Sequence, residues 1–545
     1  MVFEVKAKDL LGRIGKLKTR SGVIETPTLL PVVNPRKLDI KPSQLFEEFG
    51  YKALITNAYL LKKHFGDEVL KKTVHGFLDY KGVVMTDSGA YQILKYGEIE
   101  VQPLEILEFQ KNIKSDIGVI LDIPTGWKTS RKHAEWTVKE TLSRAKKATE
   151  YFREKDGETL WVGPVQGGKF FDLVEFSAKE MSKLPFDVYA LGSPTEVMEQ
   201  YLFDVLVEMI VTAKKNLPVD KPFHLFGAGH PFMFSFAVAL GCDLFDSASY
   251  ALFAKDDRYI TETGTVRLEN LRYFPCNCPV CKNLTPEDLR DKEKNEREVL
   301  LMKHNLYVCK TEIERIKQSI VEGRLWELLE LRARSHPMLF QAFKFLAKKY
   351  SRLFADETPA YKARGIFIFE DISLYRPEIL THKRRLLENY EKPEKADILL
   401  LLPQPESKPF HRSPEYRRVE KIFEGLVEDG FDVERVHVCF YSIPFGVVPV
   451  EVDEVYPLSQ FEASKPYTQK MVEEMAKTIV EYVNVEGYSR VLLHPDPNFL
   501  NRKTLLWLRR KIKGLTKTTR GRKPWSPKSL KDLEESLRLT LKNRR

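Results

Sequence analysis

The chain has 545 residues, 43% of them hydrophobic and 11% aromatic, with a net charge of +10; this is too long for one ordinary domain and normal for folded protein, so two or three domains are expected. Six cysteines in this length exclude a disulfide scaffold, and no window reaches the apolar length of a membrane span. The basic excess is one tail: Arg509 to Arg545 hold fourteen Lys or Arg against Asp532, Glu534 and Glu535, a density that fits either polyanion binding, with Trp525 available for stacking, or a solvated segment.

The opening residues alternate like a strand and lack the apolar core of a signal peptide, which predicts a cytoplasmic protein with no membrane attachment. A hairpin over residues 2–20 comes first. Apolar runs then recur at Thr28–Val33, Ala53–Thr56, Val83–Thr86, Gly118–Leu121, Leu160–Val165, Val188–Leu191, Phe223–Phe226 and Leu244–Phe245. Between them, Pro103–Ile113, Arg131–Phe152, Asp172–Met181 and Thr195–Lys214 carry apolar residues at helical spacing. Eight strands alternating with helices over about 250 residues predict a (β/α)8 barrel. A doubly wound open sheet is the alternative, but no G-x-G-x-x-G comes after the first strand.

The turns after the strands are polar: Asp87-Ser88-Gly89, Asp122-Ile123-Pro124, Gln166-Gly167-Gly168, Gly192-Ser193-Pro194, Gly227-Ala228-Gly229-His230 and Asp246-Ser247-Ala248. Parallel barrel strands end on one side, so these turns are expected to converge on one pocket. Taken singly, Asp87 and Asp246 read as helix N-caps about as well as functional groups. A Gln and three Asp placed at strand ends are less well explained as ordinary βα loops.

Next come Cys276, Cys278 and Cys281, then His304. Three thiolates and an imidazole make a closed tetrahedral set that suits one structural Zn²⁺ per chain. Cys242, Cys309 and Cys439 lie in apolar surroundings and read as core. From Gln318 to about Tyr350 the pattern is helical, with Trp326, Leu328, Leu329 and Leu331 on one packing face. The hinge Glu391-Lys392-Pro393-Glu394-Lys395 precedes Ile398–Leu402, where a smaller α/β domain starts. The expected division is a catalytic barrel over 1–270, a zinc-binding subdomain with closing helices over 271–350, a linker over 351–395, an α/β domain over 396–500 and a basic tail over 501–545, polyanion-contacting or disordered.

Thr86-Asp87-Ser88-Gly89-Ala90-Tyr91-Gln92, Leu121-Asp122-Ile123-Pro124, Val165-Gln166-Gly167-Gly168, Asp246 to Tyr250 and the Cys-x-Cys-x-x-Cys…His set together resemble the tRNA-guanine transglycosylases. His224 to Pro231, Tyr250 to Tyr259, Val447 to Glu451 and Val455 to Ser459 resemble their archaeal, archaeosine-forming branch, and the likeness covers about residues 1–500. The resemblance implies that guanine at position 15 of the tRNA dihydrouridine arm is exchanged for 7-cyano-7-deazaguanine (preQ0) without ATP. It implies Asp246 as nucleophile and Asp87 as general acid/base, roles the residues alone leave interchangeable. Asp122, Gln166 and the Gly192 backbone are expected to meet the edge of the base, Tyr91 to stack on it and Ser88 to add a contact. A homodimer is implied as well. Archaeal members commonly end in a PUA domain that holds the acceptor end; the roughly 45 residues after Leu500 are too few for one, so the tail or a separate PUA-domain protein is expected to take its place. The rival reading is a paralogous tRNA-modifying or non-catalytic tRNA-binding subunit, against which the two aspartates argue.

Overall fold

The computed structural model describes residues 2–90, 101–154 and 158–542. The chain divides into two compact units, Met1–Leu346 and Ala347–Arg545.

The first unit opens with a three-stranded antiparallel sheet, β1 (Phe3–Asp9), β2 (Gly12–Lys18) and β3 (Val23–Thr26). Eight parallel strands then close a barrel: β4 (Thr28–Val33), β5 (Ala53–Asn57), β6 (Val83–Asp87), β7 (Ile117–Val119), β8 (Leu160–Val165), β9 (Val188–Leu191), β10 (Phe223–Leu225) and β11 (Leu244–Ser247), with β11 returning to β4. The strands fall where the apolar runs predict them, because a parallel strand covered on both faces must be apolar almost throughout. Several ends shift by one or two residues: β7 starts at Ile117 and stops at Val119, β10 stops at Leu225, β5 runs on to Asn57, and Asp87 and Asp246 lie inside β6 and β11 rather than just beyond them.

Alternation along the strands sends Ala53 and Ile55, Val83 and Met85, Ile117 and Val119, Val188 and Ala190, and Leu244 into one interior cluster. Phe3, Leu17 and Ile24 of the antiparallel sheet join that cluster, so the sheet plugs the end of the barrel where the strands begin. There Arg13 makes a two-pronged buried ion pair with Asp243, 2.8 Å on each arm. The C-terminal end is the mouth. Continuing the inward parity by one layer brings Asn57, Asp87, Gln166, Gly192 and Asp246 to it.

The span expected as one helix over Thr195–Lys214 is two, Thr195–Glu199 and Phe203–Lys214, broken at Tyr201, whose φ is +57°. After the barrel, a small hairpin, β12 (Arg258–Ile260) and β13 (Thr265–Arg267), precedes the cysteine loop and the helix Lys294–Glu322. Trp326, Leu328 and Leu329 are buried as expected, whereas Leu331 is 60% exposed.

The second unit centres on a five-stranded sheet of β15 (Ile398–Pro403), β16 (Val436–Ser442), β17 (Gly446–Pro449), β19 (Arg490–Leu493) and β20 (Leu515–Lys517), in the order β17-β16-β15-β19-β20. All but the edge strand β17 are parallel. A separate parallel pair joins β14 (Ile366–Ile368) to β18 (Phe461–Ala463). Two expectations are corrected by this unit. The span 351–395 is no bare linker, since it contains β14 and the helix Pro377–Glu388. Residues 501–542 are no disordered tail: they form the helix Arg502–Lys511, β20 and the helix Pro527–Lys542, whose Leu530, Leu533, Leu537 and Leu541 enter the unit's core. Leucines at spacings of three and four make one apolar helix face, and burying it outweighs the repulsion of basic residues that stay exposed on the other. No helix among the described residues is long and apolar enough to cross a membrane.

Candidate active site

Asp87 closes β6 one strand away from Asn57, and the parallel register sets the two side by side. The Asn57 side-chain amide donates to Asp87 Oδ2 at 3.0 Å, while its own oxygen caps the next helix at Leu60 N. Gly89 N donates to the same Oδ2 at 3.3 Å. Burial and the nearby charges of Asp122 and Asp246 push the Asp87 carboxyl up to about 7. A carboxyl so placed exchanges its proton near neutrality.

Asp246 is held differently. His224 Nε2 lies 2.8 Å from Asp246 Oδ1, and Gly227 N donates to the same oxygen at 3.0 Å. His224 is fully buried, and the Asp246 side chain keeps 15% of its surface open. Beside it the loop after β10 packs closely on β11 at Gly229, where a Cβ would sit 1.7 Å from Ser247 Oγ.

The third carboxylate, Asp122, stands beyond β7 and is buried, which pushes it up to about 6 against the opposing hydrogen bond from Gln166. Gln166 Nε2 donates to Asp122 Oδ2 at 2.5 Å. Its orientation is forced, since Oε1 accepts from Thr125 N at 2.9 Å and Ser193 Oγ at 3.0 Å, and a backbone N–H can only donate. Gln166 lies flat against Gly192, where a Cβ would come within 2.1 Å of Nε2. A Gly192→Ala change is expected to dislodge Gln166 and with it Asp122, raising KM for any base bound there at least tenfold while leaving the melting temperature within a few degrees. An unchanged KM would separate Gln166 from the pocket. Ser88 Oγ is fully buried and donates to Ile120 O at 3.1 Å, bracing the β6 and β7 ends.

Away from the mouth, Cys276, Cys278, Cys281 and His304 bring one ligand atom each to within 4.8 Å of one another. Cys278 begins the short helix Pro279–Asn283 that carries Cys281, and His304 comes from the helix Lys294–Glu322. His304 Nε2 donates to Ile260 O at 2.8 Å, which fixes the tautomer and turns the Nδ1 lone pair toward the sulfurs of Cys278 at 3.5 Å and Cys281 at 3.4 Å. A tetrahedral zinc with ordinary bond lengths sets N and S about 3.6 Å apart, so the spacing fits that ion. Tyr259 stacks on His304 at 3.6 Å between ring centroids.

The family model described as Queuine tRNA-ribosyltransferase matches residues 9–338, the whole barrel and the cysteine cluster. The chain belongs to that family. Among its relatives, a tRNA-guanine(15) transglycosylase of Saccharolobus solfataricus is 43% identical over 500 residues, covering 90% of this chain and 96% of the relative. One of Pyrobaculum aerophilum is 44% identical, covering 91% and 95%. One of Methanocaldococcus jannaschii is 43% identical, covering 87% of this chain and 71% of the relative. A second family model, a domain of unknown function, matches residues 379–537.

In this transglycosylase-family barrel, Asp87, Ser88, Asp122, Gln166, Gly192 and Asp246 all lie at the C-terminal ends of strands or just beyond them, and the four metal-binding candidates form their own cluster. Tyr91 lies outside the described residues. His224, Gly227 and Asn57 are the polar partners of the two strand-end aspartates that sequence reading did not assign a part. The signal for His224 was present: the register pairs it with Leu244, and two residues farther along the same inward face stands Asp246.

Proposed function

We propose that the protein exchanges guanine at position 15 of tRNA for 7-cyano-7-deazaguanine, a step toward archaeosine. The observation that carries this reading is the set of three carboxylates at one barrel mouth, two of them with raised pKa values and the third held by an imidazole. Asp246 Oδ2 attacks C1′ of the ribose as the bond from C1′ to N9 breaks, and the bonding pair leaves with the base. Asp87 gives its proton to the departing guanine. The incoming base surrenders its N9 proton to the Asp87 carboxylate and displaces Asp246, so the second half reverses the first and needs no ATP. Asp122, kept in place by Gln166, accepts from the N1–H and 2-amino edge common to both bases, and the Gly192 backbone stands at the same wall.

A barrel that merely gripped tRNA would have no use for this arrangement. Asp87 is pushed above its unfolded value, so stability falls as pH rises from that value to about 7, a cost that proton transfer explains and binding does not. A tRNA whose guanine 15 is changed to adenine is expected to accept no labelled base; incorporation at the unchanged rate would refute the positional reading.

Cys276, Cys278, Cys281 and His304 hold one zinc, with all four positions filled by protein and none open to substrate. An ion held there would supply no chemistry to the exchange; the four ligands would tie the cysteine loop to the helix Lys294–Glu322, and His304 bonds onward to Ile260 of β12. Strong chelation is expected to lower the melting temperature by ten degrees or more, with exchange lost only as the fold goes. Immediate loss of exchange at an unchanged melting temperature would contradict a structural ion.

The exposed basic residues of 501–542 contact tRNA phosphates. Their helices belong to the unit's core, so removing the segment would unfold it and only exposed side chains can be changed. Replacing exposed Arg520, Arg522 and Lys523 with alanine is expected to reduce the slope of log K against log salt by about 0.7 to 0.9 for each phosphate left unneutralised, with KM for the base unchanged. An unaltered slope would show these residues to be only solvated.

A further inference from the structure

Asp246 is bound asymmetrically. Both of its hydrogen-bond donors, His224 Nε2 and Gly227 N, reach Oδ1, and no hydrogen bond from another described residue reaches Oδ2. His224 is wholly buried within β10, and its other ring nitrogen, Nδ1, has no partner among the described residues. An unmade acceptor costs less in such a place than an unmade N–H, and Oδ1 demands a donor. The imidazole therefore carries its proton on Nε2, aimed at Asp246.

From this geometry we infer that His224 is a positioning residue that balances Asp246 between attack and departure. The inference rests on the reading of Asp246 as nucleophile. With Oδ1 pinned by two donors, the carboxylate cannot turn about its last torsion, and Oδ2 is the oxygen that faces C1′. The bond Oδ2–C1′ forms as C1′–N9 breaks, and in the second half it breaks again as the incoming nitrogen attacks, returning the electron pair to the carboxylate. Throughout the cycle His224 keeps its proton. It donates to a carboxylate before and after and to an ester carbonyl in between, and a hydrogen bond to the charged acceptor is roughly twice as strong. The donor thus stabilises Asp246 as a leaving group more than it stabilises the adduct. A base-exchange enzyme needs this, because an adduct that is too stable would trap the tRNA.

The other polar and charged groups at the mouth do not duplicate the contact. Asn57 and Gly89 hold Asp87, and Gln166 holds Asp122. His230, also on the loop after β10, is pushed down to about 3 by burial and accepts from Phe232 N as a helix cap.

The test compares His224→Leu, which removes the donor, with His224→Gln, whose side-chain amide reaches the position of Nε2. Each is incubated with a tRNA transcript and radiolabelled guanine, and the fraction of enzyme held as a denaturant-resistant tRNA adduct is measured beside kcat and KM. For His224→Leu the adduct fraction is expected to rise about fivefold, the equilibrium factor that matches the difference in strength between a hydrogen bond to a charged and one to a neutral acceptor, while kcat falls about tenfold and KM for tRNA stays unchanged. His224→Gln should return both toward wild type. A loss of structure alone would lower the adduct fraction together with kcat in both variants, and that outcome, or no change in either quantity, overturns the inference. Asp246→Asn is run in parallel: full exchange by that variant overturns the nucleophile assignment itself, whereas an inactive Asp246→Asn beside an unaltered His224→Leu overturns only the part given to His224.

Discussion

Asp246→Asn is expected to abolish base exchange, by on the order of 10⁴-fold or more, and to leave no covalent enzyme–tRNA adduct. The substitution is mild for the fold. Asparagine keeps an acceptor oxygen for His224 Nε2 and Gly227 N, and the side chain is only partly enclosed. What it loses is chemical: an amide nitrogen in place of Oδ2 cannot form the glycosyl ester, and the neutral group no longer offsets positive charge on the ribose. tRNA binding and the melting temperature should therefore be close to wild type while exchange disappears. Measured exchange within tenfold of wild type would remove Asp246 from the mechanism, and an adduct surviving in Asp246→Asn but missing in Asp87→Asn would transfer the attack to Asp87.

Asp87→Asn is the second large effect. Removing the group that moves the proton is expected to slow exchange by about 10² to 10⁴-fold, with the adduct still able to form slowly. The pH dependence identifies the group. Asp87 must hold its proton to release guanine and titrates at about 7, so adduct formation in wild type should be level below that pH and fall about tenfold per unit above it. In Asp87→Asn the fall should be absent. Stability supplies an independent readout with a definite sign. Because the folded carboxyl is pushed above the unfolded one, wild type loses stability between the unfolded value, about 3.9, and about 7. Asp87→Asn should thus melt higher than wild type at pH 8 and nearly the same at pH 4. A variant that melts lower at pH 8 would show that the carboxyl is not desolvated as described.

Much of this was legible in the sequence because barrel strands carry two signals at once. Val83, Val84 and Met85 mark β6 by burial, and Asp87 marks its open end because a carboxylate cannot be left inside the barrel. The same holds for Leu244, Phe245 and Asp246. The cysteine spacing is equally direct, since few arrangements other than a metal cluster bring three thiols together. What was not legible depended on pairing between strands. His224 looks like a core histidine until the register of β10 on β11 sets it beside Asp246, and Asn57 looks like a cap until β5 and β6 are aligned. Gln166 reads from sequence as a contact to the base; that its Oε1 accepts from Thr125 and Ser193 while one N–H goes to Asp122 depends on three separate strand ends meeting, which no local pattern encodes. The basic segment misled for another reason: charge counts weigh each residue alike, whereas folding weighs the four leucines of Pro527–Lys542 that share one face.

The central claim is that this chain swaps a base within intact tRNA. The direct measurement is to incubate the wild-type protein with an unmodified tRNA transcript and labelled 7-cyano-7-deazaguanine, without nucleotide triphosphates, and to count both label in RNA and guanine released. Label should enter position 15, with one guanine released for each base incorporated and the RNA chain uncut. Guanine-free incorporation, or no incorporation by a folded, tRNA-binding protein, would contradict the account.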